Sequence, residues 1–212
     1  MIKRRHFLSG LLSISATTLL ANTAKTPNIT KKTLYPKRLE KGQTIGLIAP
    51  GFAVSQQKMA QMVFFLEQSG FKVFQTGRIG QEGYFSNTDE QRALDVMEMF
   101  SNSNVDAILC ARGGYGCTRI LDLLDYKIIE NNPKILLGFS DVTALIQGIY
   151  SKTGLIGFHG PVGTTIENQY AQSCIQDLLM NLSEQTTIKP VNLEENPYKS
   201  ISEYQRYTIY PG

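Results

Sequence analysis

Apolar residues recur along this chain in two alternating rhythms: short continuous runs, and stretches in which they return every three or four positions. The runs are Thr44-Ile45-Gly46-Leu47-Ile48-Ala49, Phe71-Lys72-Val73-Phe74, Val105-Asp106-Ala107-Ile108-Leu109-Cys110, Lys134-Ile135-Leu136-Leu137 and Leu155-Ile156-Gly157-Phe158. Bounded by glycine, proline or polar residues, such runs read as buried strands. Between them, Met59, Met62, Val63 and Leu66 share one helical face, which Gly70 closes. Ala93, Val96, Met97 and Phe100 share another, behind a Thr88-Asp89-Glu90-Gln91 capping box. Further helices are predicted around Thr118 to Leu124, over Val142, Leu145, Ile146 and Ile149, and over Ala171, Cys174, Ile175 and Leu178. Repeated βαβ units predict an α/β fold: a doubly wound, mostly parallel sheet with helices on both faces.

The pattern also divides the chain. After the last helix, Asn181 to Arg206 is polar and reads as a linker, and Tyr207-Thr208-Ile209-Tyr210-Pro211-Gly212 reads as the first strand of something further. The α/β domain is accordingly placed at 42–183, with 25–41 a linker before it and 184–212 a linker and the start of a second domain. About 190 residues beyond the first segment suffice for one substantial core.

That first segment, 1–24, reads as an address. Lys3-Arg4-Arg5 precedes an apolar stretch from Phe7 to Ala21 that is short and rich in Ser and Thr. This is the form of a twin-arginine export signal, which carries folded proteins to the periplasm. Cleavage near Ala21 or Ala24 is expected, with an uncleaved anchor as the alternative; the only membrane association foreseen is through this signal. The signal also changes the charge balance. The chain holds 21 Lys and Arg against 18 Asp and Glu, and setting aside Lys3, Arg4 and Arg5 leaves 18 of each. A neutral remainder without a basic cluster argues against nucleic-acid binding. Of three cysteines, Cys110 and Cys174 read as buried thiols, and a Cys110–Cys117 bridge is the alternative in an oxidising compartment. With His159 the one histidine outside the signal, no metal-ligand cluster forms; no metal and no cofactor are expected.

Chemistry concentrates where strands end. Gly138-Phe139-Ser140-Asp141-Val142 follows one predicted strand and opens a helix, which is how several hydrolases present a nucleophilic serine. The helix N-terminus behind it offers free N–H groups to a developing oxyanion. The plain alternative is that Ser140 caps the helix. Arg112-Gly113-Gly114-Tyr115-Gly116 follows another strand, and Phe158-His159-Gly160-Pro161 follows a third. A doubly wound sheet brings such ends to one edge, where ligands bind. A dinucleotide site fits less well: the first turn, Ala49-Pro50-Gly51-Phe52-Ala53, lacks G-x-G-x-x-G.

In combination, Arg112-Gly113-Gly114-Tyr115-Gly116, Pro133-Lys134, Gly138 to Thr143 and His159-Gly160-Pro161 resemble the LD-carboxypeptidase family of serine peptidases, which includes the microcin C self-immunity peptidases. Gly42 to Pro50, Tyr84-Phe85 and Asp89 to Arg92 fit the same family, and the likeness runs from about Pro36 to the end. The resemblance implies a hydrolase that removes the terminal D-alanine of murein tetrapeptides from an L-centre. Carried over, Ser140 is the nucleophile, with the backbone N–H of Asp141 and one from the Gly113-Gly114 loop as oxyanion hole. Arg112, Tyr115 and His159 are expected to line the substrate. Arg112 has two readings, a fork for the substrate's carboxylate or a brace for its own loop. A homodimer is the assembly that the family suggests.

One departure stands out. The family's glutamate and histidine come from a second, C-terminal domain, whose glycine-rich stretch and distal histidine this sequence does not contain, so that domain reads as missing. A substitute triad of Ser140, His159 and Glu167 is a weaker alternative, because the matching histidine in the family is not the base. The readings are thus the N-terminal portion of an exported carboxypeptidase, a non-catalytic remnant that binds muropeptides, and, least favoured, a nucleotide- or anion-binding domain. Exposed apolar surface and self-association are expected of the isolated domain.

Overall fold

The computed structural model describes residues 32–79, 83–181, 186–188 and 207–209; the segment 1–24 that reads as a signal and most of the stretch from Asn181 to Arg206 fall outside them, as does the side chain of Cys174. A five-stranded parallel sheet forms from β1 (Thr44–Ile48), β2 (Lys72–Gln75), β3 (Ala107–Cys110), β4 (Ile135–Gly138) and β5 (Phe158–His159), in the order β2-β1-β3-β4-β5. The registers that matter below are Ile48 with Cys110, Leu109 with Leu137, and Gly138 with His159. β3 and β4 are buried throughout, while the edge strand β2 is partly exposed, as the middle and rim of a doubly covered sheet should be.

Alternation along the strands supplies two cores. Ile48, Ile108, Cys110 and Leu136 face the layer of α2 (Asp89–Ser101), α3 (Tyr126–Asn131) and α4 (Val142–Thr153), meeting Val96, Phe100, Ile129 and Leu145. Ile45, Leu47, Leu109 and Leu137 face the other way, against Met59, Met62 and Leu66 of α1 (Gln56–Gln68) and Leu179 beyond α5 (Gln169–Ile175). The doubly wound architecture is therefore as predicted. Lys134 explains part of the Pro133-Lys134 motif: its buried ammonium donates to the carbonyls of Met99 (2.7 Å) and Asn102 (2.6 Å) at the C-terminal end of α2.

Several expectations need correction. The capping box at α2 is half formed: Thr88 Oγ1 accepts from Gln91 N, but the Thr88 N–H goes to Asn87 Oδ1. The segment after Gly116 is a 3-10 helix, Cys117–Leu123, and α3 behind it was not foreseen; six residues leave little room for a periodic signature. After α5 the helix widens into a π-turn over Gln176–Met180, which buries Leu179 and leaves Leu178 39% exposed. The wider i→i+5 spacing rotates the apolar face by one residue. Within the expected linker, Thr186–Ile188 is a strand paired antiparallel with Tyr207–Ile209, in keeping with its β-branched residues. Cys110 and Cys117 are buried free thiols, so the Cys110–Cys117 bridge is not formed; burial raises the pKa of both.

Candidate functional site

Strand β4 ends at Gly138 and α4 begins at Val142, so the chain must reverse within three residues. It does so through Ser140, whose φ of 63° makes it the one non-glycine residue in the left-handed region among the described residues. An L-residue there costs on the order of 1–2 kcal/mol. The surroundings hold it. Thr143 N–H donates to Ser140 O at 3.0 Å, Val142 N–H to Phe139 O, and Gly160 N–H to Gly138 O at 2.9 Å. Gly138 is obligatory for another reason: a Cβ there would stand 2.4 Å from Val142 Cγ1. Ser140 is exposed and does not cap α4; Asp141 occupies the N-cap without a side-chain cap bond. None of the hydrogen bonds among the described residues engages the Asp141 N–H.

The sheet order sets the neighbours of this elbow. The loop after β3 lies between the loop after β1 and the elbow after β4. Gly113 is where the three meet: a Cβ on it would lie 2.9 Å from Phe139 O and 3.1 Å from Ser140 Cβ, and its carbonyl accepts from Phe52 N–H at 3.3 Å. Because a trans peptide points its C=O and N–H in opposite directions, the Gly114 N–H is turned away from the β1 loop. The loop is then closed on its far side by Cys117 N–H, which donates to Asp141 Oδ2 at 2.8 Å.

Around this centre stand aromatic and basic groups. Phe52 and Tyr84 pack edge-on at 4.6 Å, Tyr84 meets Phe85 at 4.9 Å, and Tyr115, Tyr84 and Phe139 are all more than half exposed. Arg112 lies over the Phe52 ring and donates through Nη1 to Ala53 O at 3.3 Å. Of its two predicted roles the loop brace is thus formed, leaving the other guanidinium donors for a ligand. His159, paired with Gly138 across β4 and β5, packs its ring edge-on against Phe139 at 5.4 Å. No hydrogen bond among the described residues joins His159 to Ser140 or to Glu167, so the substitute triad is not assembled.

Residues 45–160 match the family model for the LD-carboxypeptidase N-terminal domain. The chain belongs to this family. Its LD-carboxypeptidase relatives include a probable murein peptide carboxypeptidase of Bacillus subtilis, 42% identical over 132 residues, covering 61% of this chain and 41% of that protein. The microcin C7 self-immunity protein MccF of Escherichia coli is 39% identical over 124 residues, covering 57% of this chain and 36% of its own length. Among solved structures, an MccF-like protein from Bacillus anthracis superposes with a TM-score of 0.69 at 30% identity, over 84% of this chain and 56% of that one. The chain thus spans about two fifths of the length of the curated relatives it matches. Every predicted site residue, from Arg112 to His159, lies inside the LD-carboxypeptidase match.

Sequence reasoning passed over three members of this candidate site: the Asp141 carboxylate, Phe52 and Arg92. Arg92 is 1% exposed. Its Nη1 donates to the carbonyls of Pro50 and Gly116, its Nη2 to Asp89, and its guanidinium lies 4.8 Å from the Phe85 ring centre. A signal was available, since Arg92 stands four residues before Val96 and seven before Met99, inside the apolar stripe.

Proposed function

We propose that this chain supplies the nucleophile-bearing half of an exported serine carboxypeptidase that releases the terminal D-alanine of murein tetrapeptides. Ser140 Oγ attacks the carbonyl of the L-centre and gives its proton to a base. The resulting oxyanion is received by the N–H groups of Asp141 and Gly114, D-alanine departs with a proton, and water then frees the acyl group from Ser140. Arg112 holds the substrate's terminal carboxylate, while Tyr115 and His159 flank the peptide. The strained Ser140, exposed against a glycine loop at a helix N-terminus, is the observation that carries this reading. The curated relatives' names, which include murein peptide carboxypeptidase, support the substrate class. The twin-arginine segment supports a periplasmic place of action.

A serine hydroxyl needs a base within hydrogen-bond reach, and among the described residues Ser140 Oγ bonds to none. That favours a second reading, muropeptide binding without turnover. Incubation of the purified chain with murein tetrapeptide, assayed for free D-alanine, separates the two. Release that disappears in Ser140→Ala supports the enzyme; saturable tetrapeptide binding without release supports the binding protein; neither result overturns both.

A further inference from the structure

We infer that Arg92 is a positioning residue for the reaction at Ser140, acting through the glycine loop without touching substrate; this rests on the carboxypeptidase reading above. Three elements converge on its guanidinium. Nη1 bridges Pro50 O, at the start of the loop after β1, and Gly116 O, 3.2 Å away at the end of the glycine loop. Nη2 reaches Asp89 in the first turn of α2, and Asp89 is held from outside by Arg119 at 2.8 Å. Phe85 covers one face of the guanidinium.

The consequence for the oxyanion hole is direct. Pro50 is two residues before Phe52, whose N–H fixes the Gly113 carbonyl and thereby turns the Gly114 N–H. Gly116 is one residue before Cys117, whose N–H is tied to Asp141 on the elbow. Arg92 therefore holds the glycine loop directly at Gly116, and through Pro50 it holds the β1 loop that fixes Gly113. A role in stability alone does not account for this arrangement. A buried charge is weak evidence of stabilisation, and Arg92 Nε is left as a buried polar atom without a partner among the described residues. The guanidinium is placed for the carbonyls, at the expense of its own third donor direction.

The test compares the full chain with Arg92→Lys, which keeps the charge and loses the fork, and with Phe85→Leu, which leaves the fork and uncovers its face. Two readouts are followed: amide hydrogen exchange and D-alanine release. The inference expects exchange at Phe52 and Cys117 to rise tenfold or more, on the order of 1.4 kcal/mol per tenfold, while Val96 and Ile108 in the core hold their protection. It expects kcat to fall about 100-fold, the cost of a misplacement near 1 Å, with KM changed less than about threefold. Should Arg92→Lys fail to fold, Phe85→Leu is expected to give the same local signature more weakly. Exchange rising uniformly over core and loop, or unchanged at Phe52 and Cys117, overturns the inference. So does unchanged kcat in variants of a chain that is active. A parent chain without turnover refutes the carboxypeptidase reading alone, and exchange then decides whether Arg92 sets the loop.

Discussion

The Asp141 carboxylate accepts the backbone N–H of Cys117 at 2.8 Å, across the gap between the elbow after β4 and the glycine loop after β3. An aspartate at an N-cap would ordinarily turn its side chain onto the first N–H groups of its own helix. Here it reaches sideways, which ties the two halves of the proposed oxyanion hole together and leaves the start of α4 without a side-chain cap.

Removing that carboxylate should therefore cost both stability and function. Asp141→Ala is expected to lower stability by about 1–3 kcal/mol, as for a lost bond to a charged group, and to reduce kcat by about tenfold or more through the loosened loop. Asp141→Asn keeps an oxygen that can accept from Cys117 and should retain most of both. Denaturant titration and steady-state kinetics check the pair; equal damage in the two variants would remove the bond from the account.

Gly113 has no room for a methyl group. A Cβ would stand 2.9 Å from Phe139 O and 3.1 Å from Ser140 Cβ, so Gly113→Ala must push the elbow and the loop apart. The expected result is a destabilisation of about 1–3 kcal/mol, typical of overpacking, with D-alanine release reduced at least about 100-fold. Full activity in a folded Gly113→Ala protein would show that the loop and Ser140 do not act as a unit.

The left-handed backbone at Ser140 makes a stability prediction that runs against function. Ser140→Gly relieves a strain of about 1–2 kcal/mol and pays back part of it in chain entropy. It should therefore be more stable than Ser140→Ala by up to about 1 kcal/mol. Both variants should be inactive. Urea unfolding of the two decides it, and a glycine variant less stable than the alanine variant would show that the elbow carries no strain.

Acid should loosen the clamp behind the glycine loop. Hydrogen bonding to Arg119, and then to Arg92, holds the Asp89 carboxyl below the usual carboxylate range. An acid whose pKa is depressed by folding contributes stability above its unfolded value, near about 3.9, and loses it as pH falls through the folded value. Asp95 acts in the opposite sense, because burial raises its pKa despite Thr76 and Arg78, so the whole pH profile mixes the two. The stability gap between the parent and Asp89→Asn isolates the first. It is expected to be small, since Asp89 is partly exposed and screened, steady near neutrality, and to close once the pH has fallen through the depressed folded pKa. A gap that persists there would mean the Asp89 charge is not what holds Arg92 and Arg119.

The order of strands and helices was legible because each apolar run or stripe is a local signal, repeated often enough to outvote ambiguity at its ends. Ser140 was legible for the same reason: a strand, a tight turn and an amphipathic helix are adjacent in the chain. Tyr126–Asn131 and the π-turn at Gln176–Met180 were not, since a single turn has no period to read and a widened turn breaks the one it has.

What the sequence determined by itself is the parallel α/β architecture, the strand-end placement of the glycine loop and the serine turn, and the family likeness. Those depend on burial patterns and on contiguous motifs. Only the tertiary structure decided how the loops are held: that Arg92 reaches Pro50 and Gly116 at once, that Asp141 bonds Cys117 rather than its own helix, and that Ser140 sits at φ 63°. The physical reason is separation along the chain. These bonds join residues 24 to 42 positions apart, and the strand order β2-β1-β3-β4-β5, which no local pattern encodes, is what sets their loops side by side.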